Sequence, residues 1–443
     1  MRICMNIDST NVDTKLITNL IKLHGNELPR LLELENYYVG NHGILNRELS
    51  KDKPNNKLIT NYCSYITDTL VGFFMGSPVT YTSSKKKYLK ELKNIFLLNN
   101  EQDENIELAR KQSIKGTAYE IVYVNDNREI SFDVLDTDEV IIVRDTTIKN
   151  NISMAIRYYK NHNYATNIDS CYVDVYTSTH IFQYVYEDDI LHLIESREHP
   201  FNEVPIVEYY NNIYRIGDFE KVISLQDNLN LSNSDLANEL NYFRDCYLKL
   251  TGLSGTTDDD IEKMKENRVL LLDDKDSQAE FMTKEINDSV IQNHLKNLKE
   301  DIHKISYVPD LSQELPANLS GSAIKQKFFN TEQLIVSKER KFKKALQTRI
   351  RLITTYLNAI GSNYNWQDID IKFNRNLPVN NVELADAAIK LLGVTSRKTI
   401  LNHIAGYVGI DDVEQELQEI EKENNNLNID KIPEDSDAGL LDQ

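Results

Sequence analysis

The chain has 443 residues, of which 40% are hydrophobic, so it can form roughly two to four domains with buried cores and is not a disordered protein. Its formal net charge of −19 at pH 7 argues at first against nucleic-acid binding. Four widely spaced cysteines without a CxxC pair predict a reduced, cytoplasmic site of assembly. No apolar run reaches the roughly 20 residues of a membrane span, and residues 1–10 lack the apolar core of a signal peptide.

The first part of the chain changes from helical to strand periodicity. Helices are predicted over residues 11–40, with a central break, over 58–74 and, as one helix or a pair, over 85–115. From Gly116 onward the apolar period becomes two, which predicts strands joined by short hairpin turns. The strands are expected at residues 118–124, 129–134, 140–143, 152–159, 171–177, 181–186, 190–195 and 205–210. This half of the chain is therefore predicted to be α+β.

Three long amphipathic patterns follow, and the rest of the chain is organised around them. Apolar residues at three- and four-residue steps predict helices over residues 217–247, 287–305 and 320–360. Gly361 occupies a position where a helix C-terminus favours a residue that tolerates positive φ. A helix of about 40 residues would reach roughly 60 Å. The third helix is therefore expected to kink or to pack across several subunits.

An acidic excursion of the chain, residues 248–286, separates the first two long helices. Its pattern predicts a strand at 247–250, a short helix at 261–267, and strands at 268–272 and 278–283. We interpret this segment as a small domain at the far end of the two helices.

The C-terminal part begins with a strand predicted at residues 370–373. Three short helices are predicted after it, at 382–392, 396–407 and 412–423, with glycines between them. Residues 424–443 are polar and acidic, and we expect them to be disordered because they contain few apolar groups to bury.

Charge is distributed unevenly along this second half. Residues 411–443 contain twelve acids against two bases and so carry −10, whereas residues 320–351 contain nine bases against two acids and carry +7. A basic helix in an acidic protein is either a solvated charged face or a surface that lies beside DNA. The sequence leaves both interpretations open.

No catalytic constellation is recognisable in the sequence. It contains no GxxxxGK[ST] phosphate loop, no HExxH or paired CxxC zinc motif and no GxSxG elbow. The run Asp258-Asp259-Asp260 could hold magnesium for a metal-dependent nucleic-acid enzyme, or it could cap the helix predicted at Ile261 and stay solvated. We predict that the protein is not an enzyme and has no cofactor or metal site, with the nucleic-acid enzyme as the alternative.

Several short segments, none informative alone, form a specific set when taken in order across roughly residues 30–350. They are Tyr37-Tyr38-Val39-Gly40-Asn41-His42, Pro54-Asn55-Asn56-Lys57-Leu58, Asn61-Tyr62, Gly72-Phe73-Phe74-Met75-Gly76-Ser77-Pro78-Val79, Gly116-Thr117-Ala118-Tyr119-Glu120, Pro205-Ile206-Val207-Glu208-Tyr209, Asn211-Asn212, Gly217-Asp218-Phe219-Glu220 and Ser320-Gly321-Ser322-Ala323-Ile324-Lys325. This set resembles the portal proteins of tailed double-stranded-DNA phages, in the branch found in long-tailed phages of Gram-positive hosts.

The resemblance implies an α+β, portal-type ring subunit with an α+β wing, a two-helix stem, a small α/β clip, a long wing helix and a short helical crown. The implied segments are 1–216 (N-terminal wing), 217–247 (first stem helix), 248–286 (clip), 287–307 (second stem helix), 308–319 (tunnel loop), 320–378 (long helix and C-terminal wing), 379–423 (crown) and 424–443 (disordered acidic tail).

The resemblance also implies partners and a location. Portal proteins of this branch form a homo-oligomeric ring of twelve subunits at the capsid vertex, through which double-stranded DNA is packaged and later ejected without sequence specificity. The implied protein partners are the terminase large subunit, a head-completion adaptor, and the major capsid and scaffolding proteins. No membrane is involved. The expected place is the virion, after assembly in the host cytoplasm.

The composition of the segment that matches the tunnel loop predicts only weak binding to DNA. Between Lys304 and Lys325 there is no lysine or arginine, and Pro309 and Pro316 limit the freedom of the loop. The residues expected to face the duplex are Asp310, Ser312, Gln313, Glu314, Asn318 and Ser320. Carboxylates would repel phosphate, and neutral amides would offer only weak, sequence-blind hydrogen bonds. An ordinary surface loop is the alternative.

The acidic excursion matches the clip, and its position predicts a docking surface for the packaging motor and then for the adaptor. The residues expected to dock them are Thr256, Thr257, Asp258, Asp259 and Asp260. Its apolar strands at 269–272 and 281–282 are expected to pair between neighbouring subunits.

Overall fold

The computed structural model describes residues 3–51, 53–163, 168–244, 247–251, 278–282, 288–311, 326–375, 388–408 and 413–429, together with residues 257, 259, 262, 386 and 410. The helices are α1 (Thr14–His24), α2 (Leu28–Val39), α3 (Tyr62–Met75), α4 (Lys86–Leu98), α5 (Glu101–Lys115), α6 (Ile223–Arg244), α7 (Asp288–Ser306), α8 (Phe329–Ala359), α9 (Arg397–Val408) and α10 (Val413–Ile429). The strands are β1 (Ile3–Cys4), β2 (Thr80–Thr82), β3 (Thr117–Val124), β4 (Ile130–Leu135), β5 (Val140–Arg144), β6 (Ile152–Asn163), β7 (Ile168–Tyr176), β8 (His180–Glu187), β9 (Ile190–Glu198), β10 (Ile206–Tyr210), β11 (Tyr247–Thr251), β12 (Gln278–Met282) and β13 (Asp370–Lys372).

The larger sheet has six strands in the order β1-β5-β6-β7-β8-β9. From β5 to β9 it is an antiparallel meander, as the short predicted hairpin turns require, while β1 adds in parallel to β5. Helix α1 covers one face and buries Ile17 and Leu20 against the sheet. A second sheet has the order β10-β3-β4. The predicted α+β class is confirmed.

The main hydrophobic core joins distant parts of the chain. Phe74 of α3 contacts Phe342 of α8 edge-on, with ring centroids 5.5 Å apart, and stacks on Phe373. Tyr209 of β10 packs on the same Phe342. Strand β2 pairs with β13, so the first and last parts of this body share a small sheet as well. Neither β1 nor β2 was predicted, because two or three residues are too few to show a period of two.

The first long helix begins later than its apolar pattern predicts. The pattern starts at residue 217, but α6 begins at Ile223, after a 3-10 turn. Gly217 lies directly on the end of α5, where an added Cβ atom would come within 2.2 Å of the Ile114 carbonyl oxygen. The Asp218 amide donates to the Ser113 carbonyl at 2.7 Å. This backbone contact holds residues 217–218 outside the helix and explains why glycine occupies position 217.

The ends of the other helices differ from the prediction in three places. Helix α3 begins at Tyr62 and not at residue 58. Helix α8 begins at Phe329 in the described part of the chain, and it ends before Gly361, whose φ of 111° confirms the predicted left-handed cap. Helix α10 continues to Ile429, so the prediction of disorder from residue 424 is wrong for the first six residues. Leu427 follows Ile420 by seven residues, two helical turns, which keeps the helical period of Val413, Leu417 and Ile420 and favours continued helix.

Within the described ranges, no helix is both long enough and apolar enough to cross a bilayer.

Candidate channel-forming elements

Helix α6 is attached to the body of the protein by a ladder of hydrogen bonds between polar side chains and backbone. Four of its side chains accept hydrogen bonds from backbone amides of the extended segment 56–62. The pairs are Asn238 with the Asn56 amide at 2.8 Å, Ser234 with Leu58 at 2.9 Å, Asn230 with Thr60 at 3.1 Å and Gln226 with Tyr62 at 3.0 Å. All four side chains are buried. We call these four residues and the segment 56–62 the polar ladder.

The ladder follows from matching repeats. Its side chains recur every four residues of helix, a rise of about 6 Å. Alternate residues of an extended chain are about 6.6 Å apart and point their amides the same way. Each successive turn of α6 therefore places one side chain opposite the next amide of segment 56–62 that points toward the helix. Because segment 56–62 belongs to no described sheet, these side chains supply acceptors that a neighbouring strand would otherwise provide.

His42 extends the ladder into the loop after α2. Its Nδ1 accepts a hydrogen bond from the Asn230 amide group at 2.8 Å, and its Nε2–H donates to the Tyr37 carbonyl at 2.9 Å. Both contacts suit the neutral imidazole, and burial lowers the pKa of His42 below its ordinary value of 6.5. The neighbouring Gly40 has φ 94°, which lets the chain turn from α2 toward this contact.

We expect the protein to lose stability in mildly acidic solution because of His42. A folded-state pKa below 6.5 means that the unfolded chain binds more protons, so the contribution of His42 to stability is fully present above pH 6.5 and is lost as the pH falls from there through the lower folded-state pKa. Scanning calorimetry between about pH 8 and pH 5.5 should show a smaller fall in Tm for His42→Asn than for the unchanged protein. The exposed-site control His294→Asn should keep the full fall, and an identical slope in all three proteins would contradict this role.

Helix α7 packs on α6 with a single apolar stripe, and His303 near its end packs on the rings of Tyr62 and Tyr65. Leu295, Leu298 and Ile302 are buried. The charged side chains of α7 are Asp288, Glu300 and Asp301 against Lys296, Lys299 and Lys304, so the helix is formally neutral. Lys296 and Glu300 also form an i,i+4 pair at 3.8 Å. A helix that is formally neutral presents neither a strong attraction nor a strong repulsion to a polyanion.

The chain leaving α7 is clamped to the body before it enters the predicted tunnel loop. The Tyr65 hydroxyl of α3 donates to the Pro309 carbonyl at 3.1 Å and accepts from the Leu311 amide at 3.4 Å. His303 contacts the Val308 carbonyl through Nδ1 at 3.0 Å. Thr331 of α8 donates to the Tyr307 carbonyl at 2.5 Å. Three elements therefore fix the point from which the loop departs, and the sequence prediction did not identify any of these contacts.

Only some of the residues predicted to face the DNA or to dock the motor are among those that the structure describes. Asp310 is partly buried, with its Oδ1 4.0 Å from Nε2 of His303. The positions predicted beside it, Ser312, Gln313, Glu314, Asn318 and Ser320, lie outside the described residues. Thr257 and Asp259 of the predicted docking set are exposed, whereas Thr256, Asp258 and Asp260 lie outside the described residues.

Strands β11 and β12 form a two-stranded antiparallel ribbon beyond α6 and α7. Phe281 pairs with Leu248, and Met282 with Tyr247. One edge of the 281–282 strand is therefore occupied within the chain, where pairing between subunits had been predicted. The strand predicted at 269–272 lies outside the described residues.

Three of the nine bases predicted to form a basic face on the third long helix are paired with acidic side chains from the first half of the chain. Arg349 is fully buried between Glu120 and Glu101, and Lys338 pairs with Asp218, both partners being almost inaccessible. Arg351 pairs with Glu203 at 2.6 Å. The sequence left open whether these bases form a solvated charged face or a surface beside DNA. Neither interpretation holds for these three bases, because they form ion pairs that connect α8 to acidic groups in the first half of the chain.

No metal centre is visible in the part of the chain that the structure describes, since no three His, Cys, Asp or Glu side chains gather there at ligand spacing. Asp259 is the described member of the acidic run proposed for the alternative nucleic-acid enzyme.

Comparison with known proteins relates the whole of this architecture to one family. The family model described as Phage portal protein, SPP1 Gp6-like, matches residues 17–429. The portal protein of Clostridium phage phiCD119 is 23% identical over 436 residues, which cover 91% of this chain and 94% of that protein. The portal protein of Bacillus phage SPP1 is 22% identical over 444 residues, which cover 93% of this chain and 87% of that protein.

Two solved structures are also similar. A chain from the neck of an empty GTA particle, computed with C6 symmetry, has a TM-score of 0.49 and 13% identity, covering 78% of this chain and 90% of that one. A chain from the neck of a native GTA particle, computed with C12 symmetry, has a TM-score of 0.47 and 11% identity, covering 77% and 89%.

Proposed function

Because this chain belongs to the SPP1 Gp6-like family of phage portal proteins, we propose that it forms a ring of twelve copies through which double-stranded DNA enters and leaves the capsid. The match over residues 17–429 carries this proposal. The family consists of portal proteins and not of enzymes, and the comparisons give no support to the metal-dependent nucleic-acid enzyme. The protein is a virion component, and assembly in the host cytoplasm is part of the proposal.

Helix α7 is the proposed wall of the channel. It buries Leu295, Leu298 and Ile302, and its sequence contains three acids and three bases, so the helix is formally neutral. A channel wall with excess lysine or arginine would form salt-sensitive contacts with phosphates and hold the duplex in place. A neutral wall lets the duplex slide. The tunnel-loop residues, beginning at Asp310, are proposed to extend the same weakly interacting surface toward the axis.

We expect Glu300→Lys to slow DNA packaging most strongly at low salt. The substitution changes the charge of each subunit by two units, and a ring repeats that change in every copy. Phosphate attraction grows as salt is lowered because screening weakens, so the variant should stall most at low ionic strength. An in vitro packaging reaction at two salt concentrations measures the rate, and negative-stain microscopy checks that rings still form.

Two control variants make this experiment interpretable. Glu300→Gln removes the pair with Lys296 without adding a base, and Asp126→Lys adds the same charge change at an exposed turn between β3 and β4. Both should package at nearly the normal rate. Normal packaging by Glu300→Lys at low salt would mean that this face of α7 does not meet the DNA.

The ribbon β11–β12 and the segment between its strands are proposed to dock the terminase large subunit during packaging and a head-completion adaptor afterwards. In chain order the ribbon follows α6 and precedes α7, and this order supports placing the docking surface at the end of the helix pair where α6 ends and α7 begins. Exposed Thr257 and Asp259 belong to this segment. Major capsid and scaffolding proteins are the partners proposed for the opposite, α+β body.

A further inference from the structure

A large cleft lies between helix α8 and the loop after β10, and its charge differs in sign from that of the whole protein. Its volume is about 1240 Å³, and seven bases and four acids line it. Four of the bases are paired with three of its acids: Arg30 with Glu220 at 2.6 Å, Arg351 with Glu203 at 2.6 Å, and both Arg144 and Arg215 with Glu208, the Arg215 contact at 2.9 Å. In an acidic protein, this cleft is a local positive surface.

Three lysines at this cleft, Lys149, Lys341 and Lys344, have no acidic partner among the described residues, and Lys341 lies over the Tyr210 ring, 5.2 Å from its centroid. In the described part of the chain, no carboxylate oxygen lies within 4.0 Å of the amino group of Lys149 or Lys344, and both side chains are exposed. Beside them, Ile213 and Tyr214 are 72% and 80% exposed on the loop after β10. Unpaired positive charge next to exposed large apolar groups is the composition of an interface that is covered by another molecule.

A second exposed surface of this chain has the opposite charge. The outer strand of the larger sheet, β9, exposes Ile190, Leu193 and Ile194, each by more than half, and its pairing with β8 is irregular at Leu193 and Ile194. Glu187 lies before this apolar group and Glu195 follows it, and both are exposed. One side of the β9 backbone has no strand partner among the described residues. An edge strand of this kind is prone to aggregate unless a specific partner covers it.

We infer that these two surfaces meet in the assembled ring: the cleft of one subunit receives the β8–β9 edge of the next. This inference rests on the proposed ring. Each surface offers exposed apolar groups flanked by charges, and the signs are opposite, which favours this pairing over like-with-like contact. The two patches lie on different elements, so the contact is head-to-tail, the type that closes into a ring. DNA, which is a polyanion, would be repelled by the β9 surface.

Reversing the charges on one surface at a time tests the contact. The cleft variant carries Lys149→Glu and Lys344→Glu, and the strand variant carries Glu187→Lys and Glu195→Lys. Each variant alone would place like charges opposite each other at every interface. The protein concentration needed for half-assembly should rise about tenfold or more in each case. Native mass spectrometry and sedimentation velocity measure the ring fraction, and thermal unfolding checks that each subunit is folded.

Mixing the two defective variants in equal amounts gives the sharpest result. In an alternating ring, every reversed cleft faces a reversed strand, and every unchanged cleft faces an unchanged strand. Assembly should therefore recover, with equal numbers of the two subunits and only even-numbered rings. A single chain that carries all four substitutions should also assemble.

The possible outcomes distinguish a failure of this proposed contact from a failure of the proposed ring. If the unchanged protein forms rings and both variants assemble equally well, these surfaces do not meet, while the ring proposal stands. If both variants fail and the mixture does not recover, the surfaces are important but contact something other than each other, and the inference is wrong. If the unchanged protein forms no ring at any concentration, the proposed function itself fails.

Discussion

Replacing Arg349 with methionine is expected to lower the free energy of unfolding by about 3–5 kcal/mol, the usual result of removing one partner from a buried ion pair. The side chain is completely buried near the middle of α8. Its Nε donates to Glu120 at 2.8 Å, its Nη1 donates to Asn105 at 2.9 Å, and Nη2 also binds Glu120. Methionine fills much of the volume but leaves the acidic groups without their counter-ion.

The two carboxylates around Arg349 are not equivalent. Glu120 receives two hydrogen bonds from the guanidinium and a third from the Tyr209 hydroxyl at 3.0 Å. Glu101 has one longer contact with Arg349, at 3.3 Å, and burial raises the pKa of its carboxyl despite the opposing effect of Arg349 and hydrogen bonds from Tyr81 and Asn105. A neutral side chain is therefore tolerated better at position 101 than at position 120.

Urea unfolding followed by far-UV circular dichroism tests this difference, at a concentration where the subunits are not assembled, because assembly adds its own stabilisation. Glu120→Gln should destabilise the protein nearly as much as Arg349→Met, and Glu101→Gln should destabilise it much less. Arg351→Met is the matched control, since its pair with Glu203 is partly exposed, and it should cost under about 1 kcal/mol. Equal losses for the Arg349 and Arg351 variants would contradict the buried-cluster account.

Arg349 also illustrates what the sequence can and cannot predict. The helix that carries it was predicted from apolar spacing, and its run of bases was recognised as unusual for an acidic protein. The role of those bases was not predictable, because the partners Glu120 and Glu101 lie more than 200 residues away in the sequence. Local periodicity contains information about which face of a helix is buried, but not about which distant group lies opposite.

The short segments on which the family resemblance depends have a physical role in the structure. Gly217 and Gly116 permit backbone contacts in which an added Cβ atom would come within 2.2 Å of a carbonyl oxygen. His42, Asn56 and Tyr62 belong to the ladder or extend it. These residues were predicted to be informative as a pattern. The reason becomes visible only when segment 56–62 and helix α6, about 170 residues later, are placed side by side.

The polar ladder itself had a signal in the sequence that the prediction did not use. Gln226, Asn230, Ser234 and Asn238 recur every four residues on α6, next to the apolar stripe from which the helix was predicted. A solvated helix face of that kind is normally rich in charged residues. A regular stripe of short, neutral hydrogen-bonding side chains is instead suited to a buried backbone that lacks partners. The period alone, however, does not identify the segment that supplies the amides.

We expect Asn230→Leu to destabilise the protein by about 1–3 kcal/mol for each group that it leaves unpaired, which makes it the most damaging single change in the ladder. Its Oδ1 accepts from the Thr60 amide at 3.1 Å and from Gln226 at 2.9 Å, and its amide group donates to His42 at 2.8 Å. Leucine is similar in size and favours helix, so the loss would arise from the unpaired polar groups and not from helix propensity or a cavity.

Amide hydrogen exchange distinguishes this ladder from ordinary packing. The Leu58 and Thr60 amides lie in no described strand, yet they should exchange slowly because Ser234 and Asn230 bind them. In Asn230→Leu, the Thr60 amide should lose its protection while amides in the six-stranded sheet keep theirs. Asn228→Leu, an exposed change two residues away on the same helix, should alter stability by no more than about 0.5 kcal/mol. Rapid exchange at Leu58 and Thr60 in the unchanged protein would show that the ladder does not hold α6 to the body.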